Sequence, residues 1–478
     1  MSNDIIEFLE LKDNGLIVTD IIIESNTKFI YLEKELTPIF CPICSSRMHS
    51  KGCILRTIKH PIFQDGYQLI LKAKQRRWIC QNDSCNHQCN DLFSFVGKNK
   101  QTTNFVPYMI LNELRSLNNS VRDVAKRFNL SDTTVHNYLL QYLDIPRRPL
   151  PKYLSIDEVF LNLDDEHKYV LVLLDFETQE LIDLVESRKQ EDTRKYFYNI
   201  PLEERKLVEY IICDMYNPYV NYSTTYFKSA KVIIDSFHVV SWLINKLNLY
   251  INTVKKKHQE NDRKRLTEKN YQSNKNNEST VESNEVYMLK KYRWALLKNN
   301  EDIQYSSTSF YDRKLCRYVN TYEIIELFLA IDSRFPELRN LKELYIDFNN
   351  RNKGKQDNAK SELLEIIQLY ETSKEPIFND FSKLLRKYYT EIINSFEVIC
   401  QVDKDGNERI RRLSNGPIES FNRKPKDYKR NSRGLNNFEA TRHRIFLATN
   451  NNISFLATPK PLQELKKRTG IQRGSYKK

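Results

Sequence analysis

The stretch YLSIDEVFLN, Tyr153 to Asn162, places an aspartate inside a run of aliphatic and aromatic residues. Such a run reads as a strand buried on both faces, where a charge is costly unless it is paired or binds a cation. Two further apolar runs follow, YVLVLLDFE (Tyr169 to Glu177) and ELIDLVES (Glu180 to Ser187). Next come a helical pattern around Thr193 to Asn199, the run VEYIICDMY (Val208 to Tyr216), a second helical pattern, and KVIIDSFHVV (Lys231 to Val240). Three strands, a helix, a strand, a helix and a further strand make an α/β order.

An acid on the first strand, Asp157, and another just after the fourth, Asp214, are what a ribonuclease H-like sheet carries in that order. Functional groups gather at strand ends in α/β sheets. The third acid of such a fold comes from a late helix, and Glu419 in SNGPIESFNR fits, with Gly416 and Pro417 starting the helix. Three carboxylates facing one another stay ionised only with cations between them, which predicts two Mg²⁺ ions, or Mn²⁺, at Asp157, Asp214 and Glu419. Asp235 is the rival ligand, because it too ends an apolar strand and His238 follows it by one helical turn. Glu158 alternates to the opposite face of its strand, and Asp175 and Asp183 read as strand-end or turn residues. Around Glu419 the chain is strongly basic, and Arg411, Arg412, Arg423, Lys424, Lys426, Lys429 and Arg430 are expected to hold a DNA backbone.

Upstream, CPIC (Cys41, Cys44) and CQNDSC (Cys80, Cys85) are two close cysteine pairs that can supply the four thiolates of a structural zinc, with His87 or Cys89 as alternatives for the fourth ligand. They follow a predicted hairpin, Leu16 to Lys34, with ESNT at its turn. Arg76 and Arg77 beside the second pair suit phosphate contacts. Between residues 119 and 143 apolar positions recur at helical spacing on either side of a break at NLS, with Ser131 as the N-cap of the second helix. This is a helix-turn-helix pattern, which offers Thr133, Thr134, His136 and Asn137 to base edges.

The 478 residues exceed one core, and 75 Lys and Arg against 62 Asp and Glu give a net charge of +13, which favours a polyanionic partner. No apolar run reaches the roughly 20 residues of a membrane span, and the acidic N-terminus does not read as a signal peptide. The expected setting is therefore the cytosol. The expected division is a hairpin and zinc module over 1–98, a helix-turn-helix and linker over 99–150, and the catalytic core over 151–250. A helical insertion over 251–398, with a mobile polar stretch at 255–285, precedes the last core helices and basic tail at 399–478.

These pieces, CPIC with its later pair, the helix-turn-helix, SIDEV, CDMYNPY, DSFHVV and SNGPIESFNRKPKDYKR, resemble in order the bacterial insertion-sequence transposases of the ISL-three type. The resemblance implies a DDE triad of Asp157, Asp214 and Glu419. It also implies an α/β ribonuclease H-like core interrupted by a helical insertion, and Mg²⁺-dependent DNA cleavage and strand transfer. The expected partners are duplex DNA, as inverted repeats and target, and a second copy of the chain or a larger assembly. Two competing readings are a DNA-binding regulator with an inactive core and a nuclease without strand transfer. The CxxxxC spacing and the polar stretch depart from the family pattern.

Overall fold

The computed structural model describes residues 2–64, 67–163, 166–273, 282–402, 406–432, 437–450 and 452–461. The chain forms two compact units: Met1–Pro146 with Leu161–Glu166 and Lys424–Lys478, and Arg147–Phe160 with His167–Arg423.

In the first unit a hairpin of β1 (Leu16–Glu24) and β2 (Thr27–Lys34) turns at Ser25, whose φ of 50° is left-handed. β3 (Met48–Gln64) and β4 (Tyr67–Cys80) form a second, longer hairpin, and the short β5 (Gln88–Asn90) pairs with β4. The strand order is β1-β2-β4-β3, and its apolar face closes over Leu32, Ile58, Leu71 and Ala73. Three helices follow: α1 (Phe105–Glu113), α2 (Val121–Arg127) and α3 (Asp132–Tyr142). Ser120 caps α2 and Ser131 caps α3, each side chain accepting from the backbone N–H three residues on. Asn129, at φ 50°, makes the left-handed turn between them. Val124, Ala125, Val135 and Leu139 are fully buried, so the helical spacing read from the sequence is the buried stripe.

The second unit contains a five-stranded sheet of β6 (Tyr153–Phe160), β7 (Tyr169–Asp175), β8 (Leu181–Val185), β9 (Tyr210–Cys213) and β10 (Lys231–Ile234). The order is β10-β9-β6-β7-β8, with β6, β7 and β8 antiparallel and β9 and β10 parallel to β6. This is the ribonuclease H-like arrangement. α4 (Gln190–Tyr198) lies between β8 and β9, and Phe197 buries its ring against Tyr222, Tyr226 and Phe227.

α5 (Ser236–Ser273) leaves β10 directly. Val239, Leu243, Leu247, Ile251 and Val254 form its buried stripe, at spacings of three or four. The polar residues from Lys255 to Ser273 continue α5 as helix, where the sequence predicted a mobile break; residues 274–281 of that stretch lie outside the described residues. Further helices, among them Phe335–Arg351, Gln356–Thr372 and Pro376–Lys387, close a core of their own around Phe335, Tyr345, Phe348, Tyr370, Phe378 and Phe381. The chain then returns through the antiparallel pair β11 (Val398–Val402) and β12 (Glu408–Arg412) to α6 (Gly416–Phe421).

After Arg423 the chain rejoins the first unit, a return that the sequence reading did not include. α7 (Arg423–Ser432) leads to α8 (Phe438–Thr449), which packs on α3. The buried Arg444 donates to the carbonyls of Ser116 (2.7 Å) and Asn119 (3.0 Å), just before α2. Leu143 and Phe455 are bridged, and Gln141 donates to Lys460 O. Residues 462–478 of the expected basic tail lie outside the described residues. Among the described residues no helix is long and apolar enough to cross a membrane.

Removing an N-cap hydroxyl exposes amides at the start of a helix. Ser131→Ala should therefore cost about 1 kcal/mol and speed hydrogen exchange along α3 about fivefold. Unchanged exchange would mean that packing alone holds α3.

Candidate active site

Parallel pairing places three acids side by side. β6 and β9 pair Ile156 with Cys213, and β9 and β10 pair Cys213 with Ile234. The residue after each of these is an aspartate: Asp157, Asp214 and Asp235. Adjacent strands lie about 4.8 Å apart, so the three acids form a row, Asp157 within β6 and the other two just past the carboxyl ends of β9 and β10.

The three differ in what surrounds them. Asp235 is 4% exposed, and its two oxygens accept from the backbone N–H groups of Phe237 and Asn415, each at 3.0 Å. That carboxylate is committed to starting α5 and to holding the entry to α6. Asp157 accepts from Glu158 N (2.7 Å) and from Asn422 Nδ2 (2.7 Å). Burial, then the neighbouring Asp214 carboxylate, pushes Asp157 up to about 7. Asp214 accepts from Asn415 Nδ2 and lies 2.7 Å from His238 Nε2. The same imidazole nitrogen is 3.5 Å from Glu419 Oε1, so His238 links the second and third acids of the expected triad. Contact with Asp214 is the main cause that holds His238 protonated, up to about 9, against the opposing effect of burial.

Glu419 sits in the first turn of α6, with its N–H on Asn415 O (2.9 Å) and its carboxylate exposed. Asn415 and Asn422 flank it, and each donates its amide to one aspartate, so α6 is tied across the strand ends at both of its own ends. Both amide oxygens, Asn415 Oδ1 and Asn422 Oδ1, are buried with no hydrogen-bond partner among the described residues. Crowded carboxylates and partnerless amide oxygens make a donor set suited to a divalent metal ion. Asp235, His238 and Glu419 also bring ligand atoms within 4.8 Å of one another. Asp157 carries a hydrogen bond on each oxygen just as Asp235 does, so hydrogen bonding does not rank the aspartates as ligands.

The asparagines were not legible as site residues, because an amide at a helix end is usually a cap. Glu158 lies where alternation put it, and Asp175 ends its strand, but Asp183, expected at a strand end or turn, is in the middle of β8. Glu158 is turned away, pairing with Arg188 and accepting from Tyr219 OH at 2.5 Å. Asp175 closes a turn onto Glu177 N, and Asp183 is buried against Tyr196 OH.

Two arginines expected to meet DNA point inward instead. Arg76 is 6% exposed and donates to Lys34 O (2.5 Å). Arg412 spends its guanidinium on Ser395 O (2.5 Å), Ser395 Oγ (2.6 Å) and Asn349 Oδ1 (2.9 Å), above the Phe396 ring. Basic residues on strands are read from sequence by charge alone, and these two fill interior hydrogen-bond needs. Arg411 is half-buried over Phe176, whereas Arg77, Arg423, Lys424, Lys426 and Arg430 are exposed and Lys429 is half-buried. On α3, Thr133 is exposed, Thr134 bonds Ser131 Oγ (2.9 Å), and His136 and Asn137 are half-buried.

In the N-terminal module the sulfurs of Cys41, Cys44, Cys80 and Cys85 lie within 4.8 Å of one another. Cys44 Sγ is 3.3 Å from Cys80 Sγ, and Cys41 Sγ is 3.7 Å from Cys85 Sγ. The N–H groups of Ile43 and Asn82 point at Cys41 and Cys80 (3.4 Å each), and Ser46 holds the Cys44 thiol down, to about 6. Four thiols gathered in this way fit a structural zinc. His87 and Cys89 stand outside the group. Cys85→Ser should therefore strip zinc from the purified protein, while His87→Ala and Cys89→Ser keep about one zinc per chain by atomic absorption. Zinc retained by Cys85→Ser would exclude that residue as the fourth ligand.

A protein-family profile described as Transposase, of the DDE class and ISL-three type, matches residues 154–445. The chain is also 24% identical over 221 residues to the transposase for insertion sequence element IS1001 from Bordetella parapertussis. That alignment covers 45% of this chain and 52% of the relative, so the chain spans about half the length of the curated relative it matches.

Proposed function

Since the chain belongs to the ISL-three family of DDE transposases, we propose that it binds the inverted repeats of an insertion sequence and cuts and joins DNA with the carboxylates of Asp157, Asp214 and Glu419. The observation that carries this reading is the fixing of α6 to the strand ends. Asn415 reaches Asp214, Asn422 reaches Asp157, and His238 joins Asp214 to Glu419.

Asp157, Asp214 and Glu419 would hold two Mg²⁺ or Mn²⁺ ions. Such ions, when bound, activate a water or a DNA 3′-hydroxyl and stabilise the leaving oxygen of an in-line phosphoryl transfer. The protein's own part is arrangement. Asp235 anchors Asn415, and the two asparagines orient the aspartates. His238 supplies a positive charge between acids that would otherwise repel one another. On this reading the exposed basic residues, Arg77, Arg423, Lys424, Lys426 and Arg430, meet phosphates, and α3 offers Thr133, Thr134, His136 and Asn137 to base edges. Zinc at the four cysteines holds the N-terminal module. Joining two element ends calls for at least two copies of the chain on the DNA, at the bacterial nucleoid.

The test is a labelled duplex carrying one element end, incubated with purified protein and Mg²⁺. Wild type should cut it and join the product to a target. Asp214→Asn should bind with similar affinity but cut about a thousandfold more slowly, the loss expected when a metal ligand worth about 4 kcal/mol in the transition state is removed. Binding without cutting under any divalent metal would leave a DNA-binding regulator, and cut ends that never join would leave a nuclease.

A further inference from the structure

Two aromatic residues repeat one position at the strand ends. Tyr216 follows Asp214 by two residues and Phe237 follows Asp235 by two, in the segments that leave β9 and β10, strands that are adjacent and in register. Their backbones are fixed to the acids. Tyr216 N–H donates to Asp214 O (2.7 Å), and Phe237 N–H donates to Asp235 Oδ1 (3.0 Å). The side chains are nevertheless left open, Phe237 at 61% exposure and Tyr216 at 40%. The exposure is selective, because Tyr219, Tyr222, Tyr226 and Phe227 in the same segment are between 0% and 4% exposed.

Phe237 stands edge-on to the His238 ring, with centroids 5.7 Å apart, and so borders the imidazole that touches Asp214 and Glu419. Tyr216 packs its edge on Tyr219 (5.0 Å), with the Arg188 guanidinium 5.6 Å from its ring centre. The ligand that suits flat apolar rings beside a phosphate-directed acidic site is a nucleobase. In an intact duplex the bases show only their edges, so a ring can stack only on a base that has left the helix or lies at its end.

We infer that Tyr216 and Phe237 are substrate-contact residues, and that they stack on nucleobases displaced from the duplex next to the phosphate that is cut. The inference rests on the proposed DNA cleavage at Asp157, Asp214 and Glu419, and it adds that cleavage proceeds through local unpairing.

The test compares two duplexes with the full-length protein and Mg²⁺. One is the fully paired element end; the other has mismatches at the two base pairs flanking the phosphate that wild type cuts. Phe237→Ala and Tyr216→Ala should each slow cutting of the paired duplex about tenfold, the loss of roughly one stacked base, and should slow cutting of the mismatched duplex much less. Phe237→Leu, which keeps an apolar side chain without a ring face, should behave as Phe237→Ala. Wild-type rates in the alanine variants, a wild-type rate in Phe237→Leu, or equal slowing on both duplexes would overturn the inference while leaving the cleavage reading intact. A wild-type protein that cuts neither duplex would overturn both.

Discussion

Mutual repulsion between carboxylates is the constraint around which the catalytic unit is arranged. Register sets Asp157, Asp214 and Asp235 across three neighbouring strand ends. Two ionised acids about 5 Å apart repel by about 3 kcal/mol at an effective dielectric of about 20, comparable to a large share of a domain's net stability. The structure answers this in three ways. Asp157 is pushed up to about 7, the Asp235 carboxylate accepts from two backbone N–H groups, and His238 is held as a cation against Asp214. Each response leaves Asp214 and Glu419 exposed enough to accept an outside positive charge.

The same constraint gives the long excursion of the chain a physical meaning. Asn415 and Asp214 are 201 residues apart in sequence yet share a hydrogen bond, and Asn422 and Asp157 are 265 apart. The intervening helices close on a buried core that takes in Ile234 at the end of β10, and Asn394 donates to Val232 O on the same strand. α6 then arrives carrying one acid and two amides, and the amides bind the two acids already in place. Asp235 accepts from the backbone N–H of Asn415, so the third aspartate also helps to hold the entry to α6.

Much of this was legible in the sequence for identifiable reasons. Apolar runs with an acid inside or at the end marked β6, β9 and β10, and serine before a helical pattern marked α3. The close cysteine pairs marked the thiolate cluster, although spacing could not choose Cys85 over His87 or Cys89. What escaped reading depended on side-chain direction or on distant contacts. Charge does not say which way an arginine points, so Arg76 and Arg412 read as DNA contacts although both satisfy interior carbonyls. A polar, low-complexity stretch reads as coil, yet Lys255 to Ser273 is rich in Lys, Arg, Glu and Gln, good helix formers, and extends a helix whose apolar stripe ends at Val254. The joining of α7 and α8 to the N-terminal unit depends on a buried Arg444 and on pairings far apart in sequence, for which a linear reading has no pattern.

The most direct test of the central claim is Mn²⁺ uptake followed by electron paramagnetic resonance on the full-length protein, after the thiolate site has been filled with zinc. If the strand-end acids and Glu419 form a cation site, wild type will bind Mn²⁺ and Asp157→Asn, Asp214→Asn and Glu419→Gln will each weaken that binding at least tenfold, while Glu158→Gln will not. Equal Mn²⁺ affinity across all five proteins would contradict the account.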